Sequence, residues 1–411
     1  MTIIWLVGFK LPEFSVALGE EPLNRGGWLP SLVGAIRSLK AEIGLTIVCE
    51  GKTRREVAIR GVRYVMMPRN QVARFIEVEK PDVIHIHGTE GNWAAMPKDT
   101  FGSMPTVASL QGIIQGYYPH YTGALLPREV KSVWNWPNIL LTRYTVFRGG
   151  EVWRTKRSDG ELRAFKDFKV FLGRTEWDKA WTKYLAPGAK YYHVGEILRA
   201  PFYEGGRSEE TIVPRTIYCG ASMNYPLKGG HWLLRAVASL KTKYPDIKLR
   251  VANATKVKPL KGLVGWIKQG EYHRYLAKLI KELGLEKNVD LLASLTAEQV
   301  ADELKKAEVF VLPSMCENSP NSLGEAMLMG CPAIATDVGG TKTILKDGEQ
   351  GVLVPSGDPA ILAYQIEQFF EHPEQARQYA KAAQADAEKR YDPQTVVKQL
   401  TEAYQTISVK K

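Results

Sequence analysis

The sequence lacks the local features that mark several classes of protein. No apolar run reaches the 18 or more residues of a membrane-spanning helix, and no low-complexity tract or internal repeat occurs. The four cysteines have neither metal-site nor disulfide spacing, so we expect reduced thiols in a cytoplasmic protein. The opening MTIIWLVGFK has no basic leader, and we expect it to form the first strand rather than a signal peptide.

Nucleic-acid signatures are also missing. The sequence has no helix-turn-helix, zinc-finger or RNA-binding aromatic pattern, and we therefore expect no nucleic-acid partner. The net charge of +11 suits an anionic partner, and by charge alone the alternatives are anionic lipid, nucleic acid and an anionic substrate.

At 411 residues the chain is too long for one ordinary core and predicts two domains. Strands and helices alternate along it, which favours an α/β fold. We place the domains at residues 1–200 and 215–390, with a linker at 201–214 rich in proline, glycine and charge, and a final helix at 391–411. Residues 54–68 are polar and predict one further strand of the first domain.

Residues 309–340 contain the strongest chemical pattern. Residues 309–313 form a short apolar run typical of a buried parallel strand, and a polar loop follows them. A helix is predicted from Asn321 or Ser322, with Ser319 as a further possible cap and Pro320 as the entry residue. Such a strand, loop and helix N-terminus lie at the carboxyl edge of an open α/β sheet and favour a phosphate.

Two carboxylates flank this predicted helix N-terminus. Glu317 lies in the loop and Glu325 about one turn into the helix. Carboxylates accept hydrogen bonds from sugar hydroxyls, so together they suit a hexose and a ribose on either side of a diphosphate. The alternative is that both are solvated acids beside an ordinary turn.

The whole stretch resembles the signature of the retaining glycosyltransferases of family 4, bacterial type, which have the GT-B fold. The matching residues, in order, are Pro313-Ser314, Glu317, Glu325-Ala326-Met327, Gly330-Cys331-Pro332 and Gly339-Gly340. The resemblance implies two Rossmann-like domains facing a central cleft, with the acceptor on the first and the nucleotide-sugar on the second. It also implies that the C-terminal helix crosses back to the first domain, and that Asn318, Ser319, Pro320, Asn321 and Ser322 bind the donor with Glu325 and Glu317.

A glycine pair, Gly26 and Gly27, separates the first predicted strand from the first predicted helix. Glycine lets the backbone approach a ligand closely, although a plain turn is the alternative. In the family that the chain resembles, such a pair faces the donor phosphate.

Three further positions are candidate catalytic residues. His87 ends the predicted strand at 82–88, nearer its carboxyl edge than His85, which we assign to the core. Gln111 follows the next strand, where many members of the resembling family have a histidine near the reacting carbon. A glutamine cannot titrate as an imidazole does, so at this position it can only form hydrogen bonds. Lys228 precedes a helix in the second half and matches the family's phosphate lysine, whereas Ala221 replaces its usual arginine partner.

No Asp-x-Asp motif occurs, which favours stabilisation of the leaving group by Lys228 and helix N–H groups. We therefore expect no essential metal and no cofactor, only a UDP- or GDP-sugar as donor. The sequence does not identify the nucleophile, because no carboxylate of the first half can be placed opposite the sugar.

Residues 115–168 interleave aromatic and basic side chains, which suits sugars, lipid phosphates or nucleic acid. The membrane anchors we name are Trp134, Trp136 and Trp153. The alternative is a solvated basic face with its aromatics turned inward.

Together with the resemblance, these patterns predict a transferase that moves a sugar to a saccharide or lipid-linked acceptor in cell-surface polysaccharide or glycoconjugate synthesis. The resemblance implies that the transfer retains the anomeric configuration. We expect it in the cytoplasm, peripheral on the inner face of an anionic membrane. The alternatives are a nucleotide-sugar epimerase of similar fold, which needs no acceptor, and a non-enzymatic basic protein that binds membrane or nucleic acid.

Overall fold

The computed structural model describes residues 1–22, 27–131, 146–259 and 269–408. The chain forms two compact units. The first contains Met1–Ile114, Thr155–Arg199 and Lys389–Lys411, and the second contains Gln115–Arg154 and Ala200–Glu388.

In chain order the strands are β1 (Thr2–Val7), β2 (Gly44–Glu50), β3 (Arg55–Ile59), β4 (Val62–Met67), β5 (Val83–His87), β6 (Thr106–Ser109), β7 (Val170–Gly173), β8 (Lys190–His193), β9 (Thr216–Cys219), β10 (Lys248–Val251), β11 (Val289–Leu291), β12 (Val309–Leu312), β13 (Ala333–Thr336) and β14 (Val352–Val354). The helices are α1 (Pro12–Ala17), α2 (Trp28–Ser38), α3 (Val72–Glu79), α4 (Ile114–Tyr117), α5 (Pro127–Lys131), α6 (Val146–Val152), α7 (Ser158–Asp167), α8 (Glu176–Leu185), α9 (Gly230–Leu240), α10 (Glu271–Glu282), α11 (Ala297–Lys306), α12 (Asn321–Leu328), α13 (Thr341–Ile344), α14 (Pro359–Glu371), α15 (Pro373–Arg390) and α16 (Pro393–Ser408).

The first unit is built on one sheet of order β3-β4-β2-β1-β5-β6-β7-β8. Its strands pair in parallel except for β3, which is antiparallel to β4. Successive side chains of β1 enter opposite faces: Ile3 and Trp5 join one apolar cluster, and Ile4 and Leu6 the other. Helices α1, α2 and α16 cover the first face and α3 and α7 the second, so the sheet is buried on both sides.

The C-terminal helix α16 belongs to the first unit, as predicted. The Nε1–H of Trp5 donates to the hydroxyl of Tyr404 over 2.8 Å, and both side chains are fully buried. The same hydroxyl lies 2.6 Å from Nδ1 of His85. The apolar face of α16 and the buried hydrogen bonds of Tyr404 therefore hold this helix against the sheet.

The second unit has a sheet of order β11-β10-β9-β12-β13-β14, with its strands paired in parallel. In this doubly wound arrangement the strand order reverses between β9 and β12. In the first sheet the corresponding reversal lies between β1 and β5. Ligands of open α/β sheets bind at the carboxyl edge beside such a reversal. The prediction of an α/β chain with two Rossmann-like sheets is confirmed.

The prediction of one strand at residues 54–68 is wrong, because the chain turns there to form the hairpin β3–β4. Arg60 and Gly61 sit at the turn with φ of 47° and 80°. Two consecutive positive φ angles make the tight turn that suits the twist of paired strands.

The compact units differ from the predicted domains in two places. Residues 115–154 belong to the second unit, where Arg235 pairs with Glu129 over 2.7 Å and Nε2–H of His231 donates to the carbonyl of Gly123 over 2.9 Å. The predicted linker 201–214 also belongs to that unit, and Arg207 donates to the carbonyl of Glu308 over 3.3 Å. Composition alone does not show such long-range contacts.

Among the described residues, no helix combines the length and the apolar character needed to cross a membrane.

Candidate functional site

The site of the second unit begins at Lys228, where the chain leaves β9 and enters α9. Gly229 follows with φ of 68° and caps the helix. A Cβ atom on Gly229 would lie 1.8 Å from the carbonyl oxygen of Pro313, and the N–H of Met315 donates to the carbonyl of Leu227 over 2.8 Å. The segments after β9 and β12 are therefore in direct backbone contact at the reversal of strand order.

This contact brings Lys228 to Glu317. Nζ of Lys228 lies 2.5 Å from Oε1 of Glu317, and the hydroxyl of Ser314 donates to the same oxygen over 2.7 Å. The Glu317 side chain is 9% exposed and that of Lys228 29%. An ammonium has three donors, so the one given to Glu317 leaves two for phosphate oxygens.

The backbone around Glu317 is also held closely. The N–H of Gly340 donates to the carbonyl of Glu317 over 2.9 Å. Gly339 has φ of 53°, and a Cβ atom there would lie 2.0 Å from the same carbonyl oxygen. Burial raises the pKa of the adjacent Cys316 thiol to about 12, so this thiol stays protonated and is no nucleophile.

The loop after Glu317 leads into α12, which begins at Asn321 as predicted. The N-cap is Pro320, and no described side chain caps the helix, although Ser319, Asn321 and Ser322 were all possible caps. Oδ1 of Asn321 is buried without a hydrogen-bond partner among the described residues. An uncapped helix N-terminus with a nearby polar side chain suits a phosphate.

Two other donor-site candidates lie in this segment. Asn318 is fully buried, and its N–H donates over 2.9 Å to the hydroxyl of Tyr117. Glu325 lies in the second turn of α12 and is 6% exposed. Tyr117 belongs to the aromatic and basic segment 115–168, and the sequence predicted no donor-site role for it. It lies 201 positions before Asn318, and the fold brings the two together.

In the first unit, four neighbouring strands, β5 to β8, end in a row of polar side chains. The residues at or just after these ends are His87, Gln111, Arg174 and Glu196. Nη2 of Arg174 lies 2.9 Å from Oε1 of Gln111 and 2.9 Å from Oε1 of Glu196. Arg174 and Glu196 were not predicted, although a Gly-Arg-Thr directly after a buried strand is a signal that could have identified the arginine.

His87 is packed among aromatic rings. Its ring centroid lies 4.6 Å from that of Trp5 and 5.5 Å from that of Trp28. Burial lowers its pKa well below the usual value, so the imidazole is neutral, and neither ring nitrogen has a hydrogen-bond partner among the described residues. His85 is a core residue whose ring nitrogens contact Tyr404 and Ser109.

The glycine pair is only partly described. Gly26 lies outside the described residues. Gly27 is the N-cap of α2, and a Cβ atom there would lie 2.7 Å from Cδ of Arg199. The close approach at Gly27 is therefore to an arginine side chain.

The aromatic and basic segment is also partly described. Trp134 and Trp136 lie outside the described residues. Trp153 is half-buried, with its ring centroid 6.5 Å from that of Tyr117 and 5.2 Å from that of Tyr121, and Arg154 pairs with Glu151. Trp153 therefore packs with two other aromatic residues of the same segment.

No group of three or more histidine, cysteine or acidic side chains that could hold a metal ion occurs in the described part of the chain.

Comparison with known proteins finds similar glycosyltransferases. Residues 215–386 match the family model of glycosyl transferases group 1. The chain is 32% identical over 181 residues to a D-inositol 3-phosphate glycosyltransferase of Corynebacterium urealyticum. That alignment covers 44% of this chain and 41% of the relative, so the chain matches about two fifths of the relative's length.

Solved structures match over nearly the whole chain. Sucrose-phosphate synthase from Thermosynechococcus elongatus has a TM-score of 0.72 at 15% identity, with both chains fully covered. Anabaena HepE, solved in complex with UDP-glucose, has a TM-score of 0.66 at 17% identity, covering 99% of this chain and all of that one. These structures share the fold with the chain, which is GT-B, and the predicted fold class is confirmed.

Proposed function

We propose that the chain is a GT-B glycosyltransferase that moves a sugar from a nucleoside-diphosphate sugar to a hydroxyl group with retention of anomeric configuration. The observation that carries the proposal is the contact of Lys228 with Glu317, beside the uncapped N-terminus of α12. A cation and helix N–H groups suit a diphosphate, and a buried carboxylate suits sugar hydroxyls. The match of residues 215–386 to the glycosyltransferase family supports this assignment.

Each candidate residue then has a role. Glu325 accepts from the ribose hydroxyls, and Glu317 accepts from a hydroxyl of the transferred sugar. Lys228 and the N–H groups at the start of α12 stabilise the departing diphosphate, whose charge grows as the glycosidic bond breaks. Ser319, Asn321 and Ser322 line the phosphate end, and no essential metal is required.

The first unit binds the acceptor in this proposal. Gln111 and His87 contribute hydrogen bonds near the reacting carbon and act as uncharged groups there. Gln111 is an amide, and burial keeps the pKa of His87 well below its usual value. The acceptor is a saccharide or lipid-linked hydroxyl compound of the cell surface, reached at the cytoplasmic face of the membrane. The relative from Corynebacterium, whose name specifies D-inositol 3-phosphate, supports a small hydroxylated acceptor.

The donor is tested with a panel of UDP-, GDP- and ADP-sugars and the matching free nucleotides, followed by thermal denaturation. A ligand at 100 times its Kd adds about 2.7 kcal/mol to the free energy of unfolding. We expect one nucleotide series to stabilise the native chain and the Glu325→Ala variant to lose that effect.

Turnover of the stabilising donor then identifies the reaction. Transfer to an acceptor, with slow donor hydrolysis in its absence, supports the transferase. Release of an altered sugar without acceptor indicates an epimerase, and stabilisation by none of the nucleotides contradicts the proposal.

A further inference from the structure

Three adjacent strands of the first sheet, β6, β7 and β8, carry a connected polar group at their carboxyl ends. Gln111 follows β6, Arg174 follows β7 and Glu196 follows β8. The three side chains form one chain of contacts, Glu196 to Arg174 to Gln111, through Nη2 of the arginine. Gln111 is the only one of the three that the proposed function already uses.

The chemistry of arginine decides how the Gln111 amide is turned. A guanidinium group carries five N–H donors and no acceptor, so only the oxygen of an amide can meet it. Nη2 of Arg174 lies 2.9 Å from Oε1 of Gln111, and the amide nitrogen of Gln111 therefore points away from the guanidinium. The Gln111 group turned away from Arg174 is an N–H2 donor.

Arg174 itself has little freedom to move. Its side chain is 9% exposed, and its ion-pair partner Glu196 is 2% exposed. Its backbone N–H donates to Oδ2 of Asp178 over 3.0 Å, and Asp178 completes the capping box that starts α8. A Cβ atom on the preceding Gly173 would lie 2.5 Å from Oδ1 of Asp178, so the end of β7 is closely packed.

We propose that Arg174 is a positioning residue for sugar transfer, which fixes the Gln111 amide so that its N–H2 group, and not its carbonyl, faces the bound substrate. The partner of that donor is a substrate oxygen with a free lone pair, either a sugar hydroxyl or a phosphate oxygen. This role rests on the proposed transferase function. It explains how a glutamine supplies a directed donor where its amide could otherwise turn either way.

The test compares turnover of the stabilising donor by the native chain and by Gln111→Glu. A carboxylate keeps the bond to Arg174, indeed as a charge-assisted one, but presents an oxygen where the amide presented N–H2. We expect kcat to fall by about 10²-fold, as for other lost donors to a transition state, with little change in donor affinity. The matched control is Gln71→Glu, the same change at an exposed position of the first unit, which should leave kcat unaltered.

A second pair of variants tests the arginine. Arg174→Met combined with Glu196→Gln removes the guanidinium without leaving a buried carboxylate unpaired. The freed amide turns both ways, and we expect kcat of the folded protein to fall about 10-fold or more. Adding Gln111→His, whose ring N–H needs no arginine to direct it, should restore part of that loss.

The outcomes separate the two proposals. If the native chain turns over a nucleotide-sugar and Gln111→Glu has an unchanged kcat, Gln111 serves only as a structural acceptor for Arg174 and the positioning role is wrong. If the Arg174 variant loses stability but not kcat, the role is equally wrong. If no nucleotide-sugar binds to or is turned over by the native chain, the transferase proposal fails and the positioning role fails with it.

Discussion

The ammonium of Lys228 lies 2.5 Å from a carboxylate oxygen of Glu317, at the point where β9 and β12 of the second sheet diverge. The two residues are 89 positions apart in sequence. In the proposed function this pairing lets a phosphate-binding cation orient a sugar-binding carboxylate, so each residue should change the effect of removing the other.

Lys228→Ala should lower kcat by about 10²-fold or more, because it removes a charge whose attraction strengthens as the diphosphate leaves. Steady-state turnover of the stabilising donor measures this. Lys306→Ala, at an exposed lysine in the last turn of α11, is the matched control and should leave kcat unchanged. An unchanged kcat in Lys228→Ala would remove the proposed leaving-group role. The double variant with Glu317→Ala should lose less than the sum of the two single losses, because the residues share one contact.

Substitutions of the two carboxylates of the proposed donor site should weaken the binding of different ligands. Glu325→Ala should lower the affinity for the free nucleotide and for the nucleotide-sugar alike, because both contain the ribose. Glu317→Ala should leave the affinity for the free nucleotide unchanged and lower only the affinity for the nucleotide-sugar. Calorimetric titration with each ligand distinguishes these cases, and equal losses of both ligands in both variants would show that the roles are wrongly divided.

Gly339→Ala should destabilise the second unit and disturb Glu317. Gly339 has φ of 53°, and a Cβ atom there would lie 2.0 Å from the Glu317 carbonyl oxygen. We expect a loss of more than about 1 kcal/mol, the usual strain for a side chain in this region, since the clash adds to it. Chemical denaturation measures the loss.

Gly348→Ala is the matched control for this change. Gly348 has φ of 69°, and a Cβ atom there would meet nothing within 4 Å. It shares the backbone strain without the clash, so it should cost less stability and leave donor binding intact. Equal effects of the two substitutions would show that packing against Glu317 contributes nothing.

The sequence predicted the strand, loop and helix around Glu317 because each is a local pattern. A buried apolar run, a polar loop and a helix stop at Gly330 all lie within some twenty positions. Thr296 and Gln299 have the local spacing of a capping box, and both of its hydrogen bonds are formed.

The contacts that the sequence could not predict join distant positions. Arg174 and Gln111 are 63 positions apart, and they meet because β6 and β7 are neighbours in the sheet. Tyr117 reaches Asn318 because the segment that contains it packs with the second unit, which composition does not reveal. Sequence patterns thus predicted the elements around Glu317, and the fold determined which distant side chains meet.

The second unit should lose stability as the pH falls from 6.5 towards 4. His231 is fully buried, and burial lowers its pKa to about 4 from the usual 6.5. The unfolded chain therefore binds the extra proton in this window, and stability falls by up to about 1.4 kcal/mol per pH unit from this group. His231→Gln should reduce the slope of unfolding free energy against pH by about one proton. His372→Gln, at an exposed position, is the matched control, and an unchanged slope in His231→Gln would contradict the assignment.

The last prediction concerns the membrane. The net charge of +11 and the basic residues 154, 156 and 157 favour an anionic surface, since each nearby lysine or arginine contributes about 1 kcal/mol of attraction. Of the three predicted anchors, Trp153 packs against Tyr121 with ring centroids 5.2 Å apart, and Trp134 and Trp136 lie outside the described residues. Flotation with vesicles should require anionic lipid and weaken as salt shortens the Debye length below about 10 Å.

We expect vesicle binding to fall when Arg154, Lys156 and Arg157 are all changed to glutamine. The control changes three exposed lysines, Lys381, Lys389 and Lys398, to glutamine, which removes the same charge elsewhere and should lower binding less. A local basic surface predicts this difference, because lipid attraction falls off within a Debye length of the bilayer. If both triple variants lose binding equally, the net charge acts as a whole and the segment has no special role. If the native protein stays in the soluble fraction at low salt, the membrane proposal is wrong while the transferase proposal stands, because donor binding by the second unit needs no lipid.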